Sequence, residues 1–293
     1  MSWAEAPRIA AMRPILVTGA TGNVGAEIVR QLSGAGARVR AAVRGGSKAK
    51  LPEGVEVVLL DLHHPQTYRA ALDGAERMFL LWPPGTNAQR DVFPFVAAAK
   101  AAGIEQVVFL SILGAQKLRI VPHRAVERRL EASGMDWVFL RSSYFMQNLA
   151  TTHRDDIRLR GEIFIPAGAG RTSFVDVRDV AAVGVKALLE GHRNQAYDLT
   201  GDIALSYGEA ATILSEVLGR PIRYTNPNPL HFLGEEPRRG YPLGLTLFML
   251  AEYTAARFGL AAGITPVGSE VLGRPPTPFR RFAEDYKGVW LPD

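Results

Sequence analysis

Apolar and polar positions change period along this chain at regular intervals. Short, nearly unbroken apolar runs occupy 14–17, 38–43, 55–60, 77–82, 106–110 and 136–140. Runs of that length, rich in Val, Leu and Phe, predict β-strands covered on both faces, as in a parallel sheet. Between them the pattern lengthens to a helical one at 26–32, 65–72, 87–102 and 122–133. Gly74, Gly103 and Gly134 follow three of these segments, where a left-handed helix cap is wanted. Strands alternating with helices predict an α/β protein built of βαβ units, with a doubly wound parallel Rossmann sheet.

Past Leu140 the alternation stops. Strands are predicted at 161–165 and 172–177, and helices at 178–190 and 207–218, the latter closed by Gly219. A Pro-rich, irregular stretch covers 221–242, an apolar helical run 243–258, and a turn-rich lead at 274–279 enters a last short helix at 280–286. The expected organisation is a flexible extension at 1–11 and an NAD(P)-binding Rossmann domain at 12–156, to which 172–200 returns. A smaller, mostly helical substrate-binding region takes 157–171 and 201–293. No internal repeat interrupts this plan.

One junction carries chemistry. Between the first strand and the first helix lie Thr18, Gly19, Ala20, Thr21, Gly22, Asn23, Val24 and Gly25, a G-x-x-G-x-x-G turn. Glycines there allow a tight turn and bring backbone N–H groups close to a pyrophosphate, while the helix start favours negative charge. A glycine trio by itself also suits a plain turn. Its place after a strand and before a helix marks this one as a nucleotide site.

Cofactor choice follows from the second strand. NAD-binding sites usually carry an acidic residue at its end, against the ribose 2′-OH. Here no Asp or Glu occurs between Glu27 and Glu53, whereas Arg30, Arg38, Arg40, Arg44, Lys48 and Lys50 do. Arg44 directly follows the strand, and a guanidinium suits a 2′-phosphate. NADP(H) is therefore expected in preference to NAD(H), against the plainer reading of a solvated basic loop. Asp61 and Leu62 follow the third strand and either meet an adenine edge or form a turn cap. Leu81 and Trp82 end the fourth strand at the carboxyl edge where open α/β sheets bind ligands, though Trp82 also reads as a partly exposed core aromatic.

Composition narrows the classes. The chain has no cysteine, which removes disulfides, thiol nucleophiles and cysteine metal sites. Its net charge of +5 is dispersed, with no basic block interleaved with aromatics, so no nucleic acid is expected. Residues 1–12 lack an apolar signal core, and the uncharged runs 240–251 and 258–269 are too short to span a bilayer. A cytoplasmic protein without membrane association is expected, as a monomer or homodimer. The histidines show no ligand spacing with carboxylates, so no metal is expected.

The turn at 18–25, Arg44, Ser111 after the fifth strand, and the pair His123 and Glu127 together resemble the NmrA-like branch of the atypical short-chain dehydrogenases/reductases. The runs 140–148 (LRSSYFMQN) and 174–180 (FVDVRDV) and the closing 282–286 (FAEDY) fit the same branch. The likeness extends over most of the chain from Pro14 to Trp290. It implies an NADPH-dependent reductase acting on a small aromatic or conjugated acceptor, or else a regulator that senses the dinucleotide without turning it over. It also implies that Ser143, Tyr144 and Phe145 form a loop on the nicotinamide side, although Tyr144 and Phe145 equally suit a packing corner.

Catalysis cannot follow the usual route of that superfamily. None of the eight tyrosines has Lys four residues on, so the Tyr-x-x-x-Lys acid is missing. In its place stand His123 and Glu127, one helical turn apart, which either relay a proton and hold the ribose or form an ordinary surface pair. Ser111 either bonds substrate or ribose or is a plain strand-end serine. Together with Tyr144 these are the candidate catalytic residues. The helix at 243–258 would wall an aromatic substrate, fill core, or form a dimer face.

Overall fold

Seven strands form one parallel sheet in the computed structural model, which describes residues 13–45, 51–83, 85–117 and 121–291. The strands are β1 (Ile15–Val17), β2 (Val39–Val43), β3 (Glu56–Leu59), β4 (Arg77–Leu81), β5 (Gln106–Ile112), β6 (Asp136–Ser142) and β7 (Gln195–Leu199). Their order is β3-β2-β1-β4-β5-β6-β7, with Val17 beside Ala41 on one side and Phe79 on the other. The direction of winding reverses between β1 and β4, which is where a doubly wound sheet opens a ligand crevice.

Helices cover both faces. On one lie α1 (Asn23–Gly34) and α5 (Val177–Glu190), packed on each other. A Cβ on Gly184 of α5 would lie 2.9 Å from Ile28 and 3.0 Å from Leu140, so glycine is what lets α5 sit this close. On the other face lie α2 (Tyr68–Leu72), α3 (Phe93–Ala101) and α4 (Pro122–Glu131). Tyr68, Phe95, Val126 and Leu130 there pack with Leu16, Leu80, Phe109 and Phe139 of the strands. Gly74, Gly103 and Gly134 have the positive φ expected of them as helix caps.

In the sheet and the helices that cover it, three features differ from the sequence pattern, each for a physical reason. The third strand is not buried on both faces, because β3 is the sheet's edge and leaves Val57 58% and Leu59 51% exposed. The other edge, β7, escapes a search for apolar runs because its Gln-Ala-Tyr-Asp-Leu alternates. The helix read at 87–102 begins as a π-turn (Ala88–Val92) before α3. Pro94 in the first turn of α3 has no N–H to bond and its ring crowds the carbonyl four residues back, which opens the turn.

The chain up to Ser142 together with Val177–Leu199 makes one compact unit; Ser143–Asp176 and Thr200–Asp293 make a second. In the second, α6 (Tyr207–Leu218), α7 (Pro229–Glu235) and α8 (Leu243–Arg257) surround a core that includes Tyr207, Phe232, Tyr253, Phe282 and Trp290. Ser206 and Glu209 cap α6 reciprocally. Strand pairing here is slight. Glu162–Ile163 pairs with Arg223–Tyr224, and Arg171–Thr172 with Leu205–Ser206, so the strands expected at 161–165 and 172–177 shrink to two residues each. The stretch 221–242, expected to be irregular, holds α7. Among the described residues no helix is long and apolar enough to cross a membrane. The extension at 1–11 and the basic positions Lys48 and Lys50 lie outside the described residues.

Candidate functional site

The candidate residues of the first unit gather at the carboxyl edge of the sheet because all its strands are parallel. At the end of β1 the Thr18 hydroxyl accepts the Leu81 N–H at 2.8 Å, which ties the glycine turn to β4. Gly19 adopts φ +61°, and the Gly22 N–H closes the turn on the Gly19 carbonyl at 2.9 Å. Gly25 answers a different demand, since a Cβ there would lie 2.1 Å from the Gly19 oxygen. Helix α1 starts from Gly22 with no side-chain cap and no acidic residue in its first turn. The N–H groups of Asn23, Val24 and Gly25 therefore have no intrahelical acceptor. Thr21, Gly22 and Asn23 are exposed while Val24 is buried. An uncapped helix start above backbone that a Cβ would clash with fits a bound pyrophosphate.

The basic window resolves into separate tasks. Arg30 pairs with Glu27, and Arg38 stands at the amino end of β2, the edge away from the turn. Arg40 is buried and committed to Glu56 at 2.8 Å and to the Ala71 carbonyl. Arg44 alone of the described arginines is exposed at the carboxyl end of β2, with no ion pair to a described residue. Asp61 accepts the His63 N–H at 2.9 Å, forming a turn. Leu62 is buried, and its carbonyl takes the Tyr68 hydroxyl at 2.6 Å.

Glu127 is no surface residue. It is 0% exposed, and four donors hold its carboxylate. Arg141 grips it bidentately, with both N–O distances 2.9 Å. The Ser111 hydroxyl donates at 2.7 Å and Arg124 at 3.0 Å. Burial pushes this carboxyl upward, but the bonds from Arg141, Ser111 and Arg124 outweigh it and hold the group below the usual glutamate value. The helical spacing placed His123 and Glu127 on one flank, yet no hydrogen bond joins them. His123 meets Trp82 edge to face, with ring centroids 4.9 Å apart, and lies 6.2 Å from Phe109. Burial lowers its pKa to about 4, so it is neutral at pH 7. Trp82 is partly exposed and donates to the Thr86 carbonyl at 3.3 Å, and Leu81 is likewise only partly buried.

Arg141 is the residue that sequence reasoning passed over. The signal was available: a guanidinium near the end of a buried apolar strand needs a buried partner. Nothing local named that partner.

Ser143, Tyr144 and Phe145 belong to the second unit. Ser143 and Ser173 bond through their hydroxyls at 2.9 Å, and the backbone of Phe145 bridges Val175. The Tyr144 hydroxyl lies 3.2 Å from that of Tyr253, which bonds His153 at 2.7 Å. Burial raises the pKa of Tyr144, which stays protonated at neutral pH. Among the described residues no cluster of His, Asp or Glu is arranged to hold a metal.

The family model "NmrA-like family" matches residues 12–239. The NAD(P)H azoreductase of Xenophilus azovorans is 36% identical over 288 residues, covering 94% of this chain and 99% of its own. The (4-alkanoyl-5-oxo-2,5-dihydrofuran-3-yl)methyl phosphate reductase of Streptomyces griseus is 33% identical, covering 95% of this chain and 100% of its own. Among solved structures, Citrobacter sp. triphenylmethane reductase complexed with NADP(H) superposes with a TM-score of 0.81 at 25% identity. That match covers 93% of this chain and 99% of the other.

Proposed function

This chain belongs to the NmrA-like family, and on that premise we propose that it is an NADPH-dependent reductase that passes hydride to a flat, electron-poor acceptor such as a quinone, a dye or a conjugated imine. The protein is an NAD(P)H-dependent oxidoreductase, and relatives matched over nearly its whole length are an NAD(P)H azoreductase and a second reductase. The observation that carries the mechanism is the uncapped start of α1, set over the glycine turn.

In this reading the N–H groups of Asn23, Val24 and Gly25 hold the pyrophosphate, with Thr21 beside them, and Arg44 holds the 2′-phosphate. The bound dinucleotide supplies the hydride, and the protein supplies position. Ser111 gives its proton to Glu127, so its oxygen is left to accept, which suits a ribose hydroxyl better than a substrate carbonyl. His123, neutral and set against Trp82, offers a hydrogen bond without a charge. Among the described residues of this site no Tyr-Lys acid stands, and acceptors that need little proton assistance suit such a site.

The test is consumption of NADPH, followed near 340 nm, against quinones and azo and triarylmethane dyes, with cofactor binding titrated in parallel. Turnover is expected with at least one of these acceptors. Tight NADPH binding with no turnover on any of them would overturn the reductase reading in favour of a dinucleotide sensor. The cofactor preference has its own check. Arg44→Glu should weaken NADPH by roughly tenfold or more and NADH only slightly, because it sets a carboxylate against the 2′-phosphate alone. Equal losses for both cofactors would remove Arg44 from that contact.

A further inference from the structure

The second unit holds a cluster of tyrosine rings with one carboxylate close by. On α8 the side chains of Met249, Tyr253 and Ala256 are buried. Glu252 stands three residues from Met249 and four from Ala256, and so on their flank of the helix. The helix is held tightly there, since a Cβ on Gly170 would lie 2.1 Å from the Ala256 carbonyl oxygen. The rings of Tyr144, Tyr207 and Tyr253 surround one another, with centroids 6.0 to 6.3 Å apart. Phe174 adds a fourth ring, 5.8 Å from Tyr144 and 5.3 Å from Tyr207.

Two hydroxyls in this cluster, those of Tyr207 and Thr172, are buried and stand near each other, yet neither makes a hydrogen bond of ordinary length and angle. Natural proteins leave few such groups, and each asks for an explanation. The Glu252 carboxyl is partly buried and makes neither a hydrogen bond nor an ion pair with any described residue. A carboxylate among aromatic rings is costly when alone and favourable beside a cation, because ring faces and carboxylate then act with the same sign.

We infer that Glu252, with Tyr144, Tyr207 and Tyr253 around it, selects flat aromatic acceptors that carry a positive charge or a protonated nitrogen. This rests on the reductase reading above, since it names the class of acceptor that the reductase takes. The electrostatic surroundings agree with it. Burial pushes the Glu252 carboxyl up to about 7, so at neutral pH the group is part protonated until a cation draws it into the charged form. The neighbouring tyrosines 144, 207 and 253 are raised by burial and stay neutral. His153, behind Tyr253, is lowered by burial and by Arg239 to about 3 and is neutral too. Arg257, further along α8, acts on Tyr224. Affinity for a cation should therefore rise with pH through about 7, following Glu252.

The experiment is an equilibrium titration with crystal violet, which stays cationic across the pH range used, and its leuco form as the neutral counterpart. Saturating NADP+ is present, which has no hydride to give. The wild-type protein should bind the cation about tenfold more tightly than the leuco form. Glu252→Gln should erase that preference while leaving leuco-dye and NADP+ binding unchanged. Equal binding of the two dyes by the wild type, or a preference that survives in Glu252→Gln, overturns the inference. Should the variant fail to fold, the wild-type pH profile decides, and a cation preference that stays flat between about pH 5.5 and 8.5 overturns it. Because no turnover is measured, a cation preference in a protein that reduces nothing would count against the reductase reading alone. Turnover without the preference would count against this inference alone.

Discussion

Gly25→Ala should weaken NADPH binding by about a hundredfold or more, with the fold retained. The added methyl would lie 2.1 Å from the Gly19 oxygen, 2.6 Å from the Gly19 carbonyl carbon and 3.1 Å from the Ala20 Cα. All three are backbone atoms, so no rotamer change relieves the clash. The turn must open, and the N–H groups of Asn23 and Val24 then lose their aim. Gly22→Ala is the control, because its Cβ meets only the Gly19 oxygen, at 3.4 Å. That contact is ordinary, and affinity should fall by no more than a few-fold. Fluorescence titration of NADPH, with circular dichroism to confirm the fold, separates the two variants. Wild-type affinity in Gly25→Ala would show that the cradle does not hold the phosphates.

Glu127→Ala should destabilise the protein by about 3–5 kcal/mol, since it removes one partner of a buried ion pair and strands the other. Arg141, 11% exposed at its side chain, would be left at the carboxyl end of β6 with its main partner gone. Ser111 would lose the acceptor for its proton. Chemical denaturation should show a large fall in midpoint with little change in slope. Replacing both partners by apolar residues, Glu127→Leu with Arg141→Met, should recover much of the loss. A single variant that costs under about 1 kcal/mol would mean that the clamp contributes little.

The same carboxylate has a pH signature. Its pKa in the folded protein lies below the ordinary 4.5. Its contribution is therefore complete above the unfolded value, and is lost as pH falls from about 4.5 through the folded value. Wild-type stability should drop on acidification over that range, and Glu127→Ala should show a smaller drop.

The fates of particular residues show how much was legible in advance. The strand–turn–helix at 14–32 could be read directly, because its parts are contiguous and each has its own local signal. Arg44 was legible for a related reason: its place at the end of a strand is a matter of sequence position. Glu127 was noticed but only half understood. Helical spacing put it beside His123, whereas the fold turned it inward to Arg141, fourteen residues away on a neighbouring strand. Glu252 gave no signal of its own, lying in an apolar helical run read as a wall for an aromatic substrate, as core or as a dimer face. What sets it apart is that tyrosines 144, 207 and 253, far apart in sequence, pack into one cluster.

The sequence by itself determined the parallel α/β architecture, the glycine turn between the first strand and helix, the absence of the Tyr-Lys acid and the family likeness. Each of these depends on periodicity or on short contiguous spacing, which a linear chain carries in full. Only the tertiary structure decided which strands became exposed edges, that Glu127 is a clamped buried carboxylate, and that Glu252 stands unpaired beside buried hydroxyls. Burial and charge pairing are properties of residues brought together from distant positions, and the cost of burying a charge depends wholly on what then surrounds it.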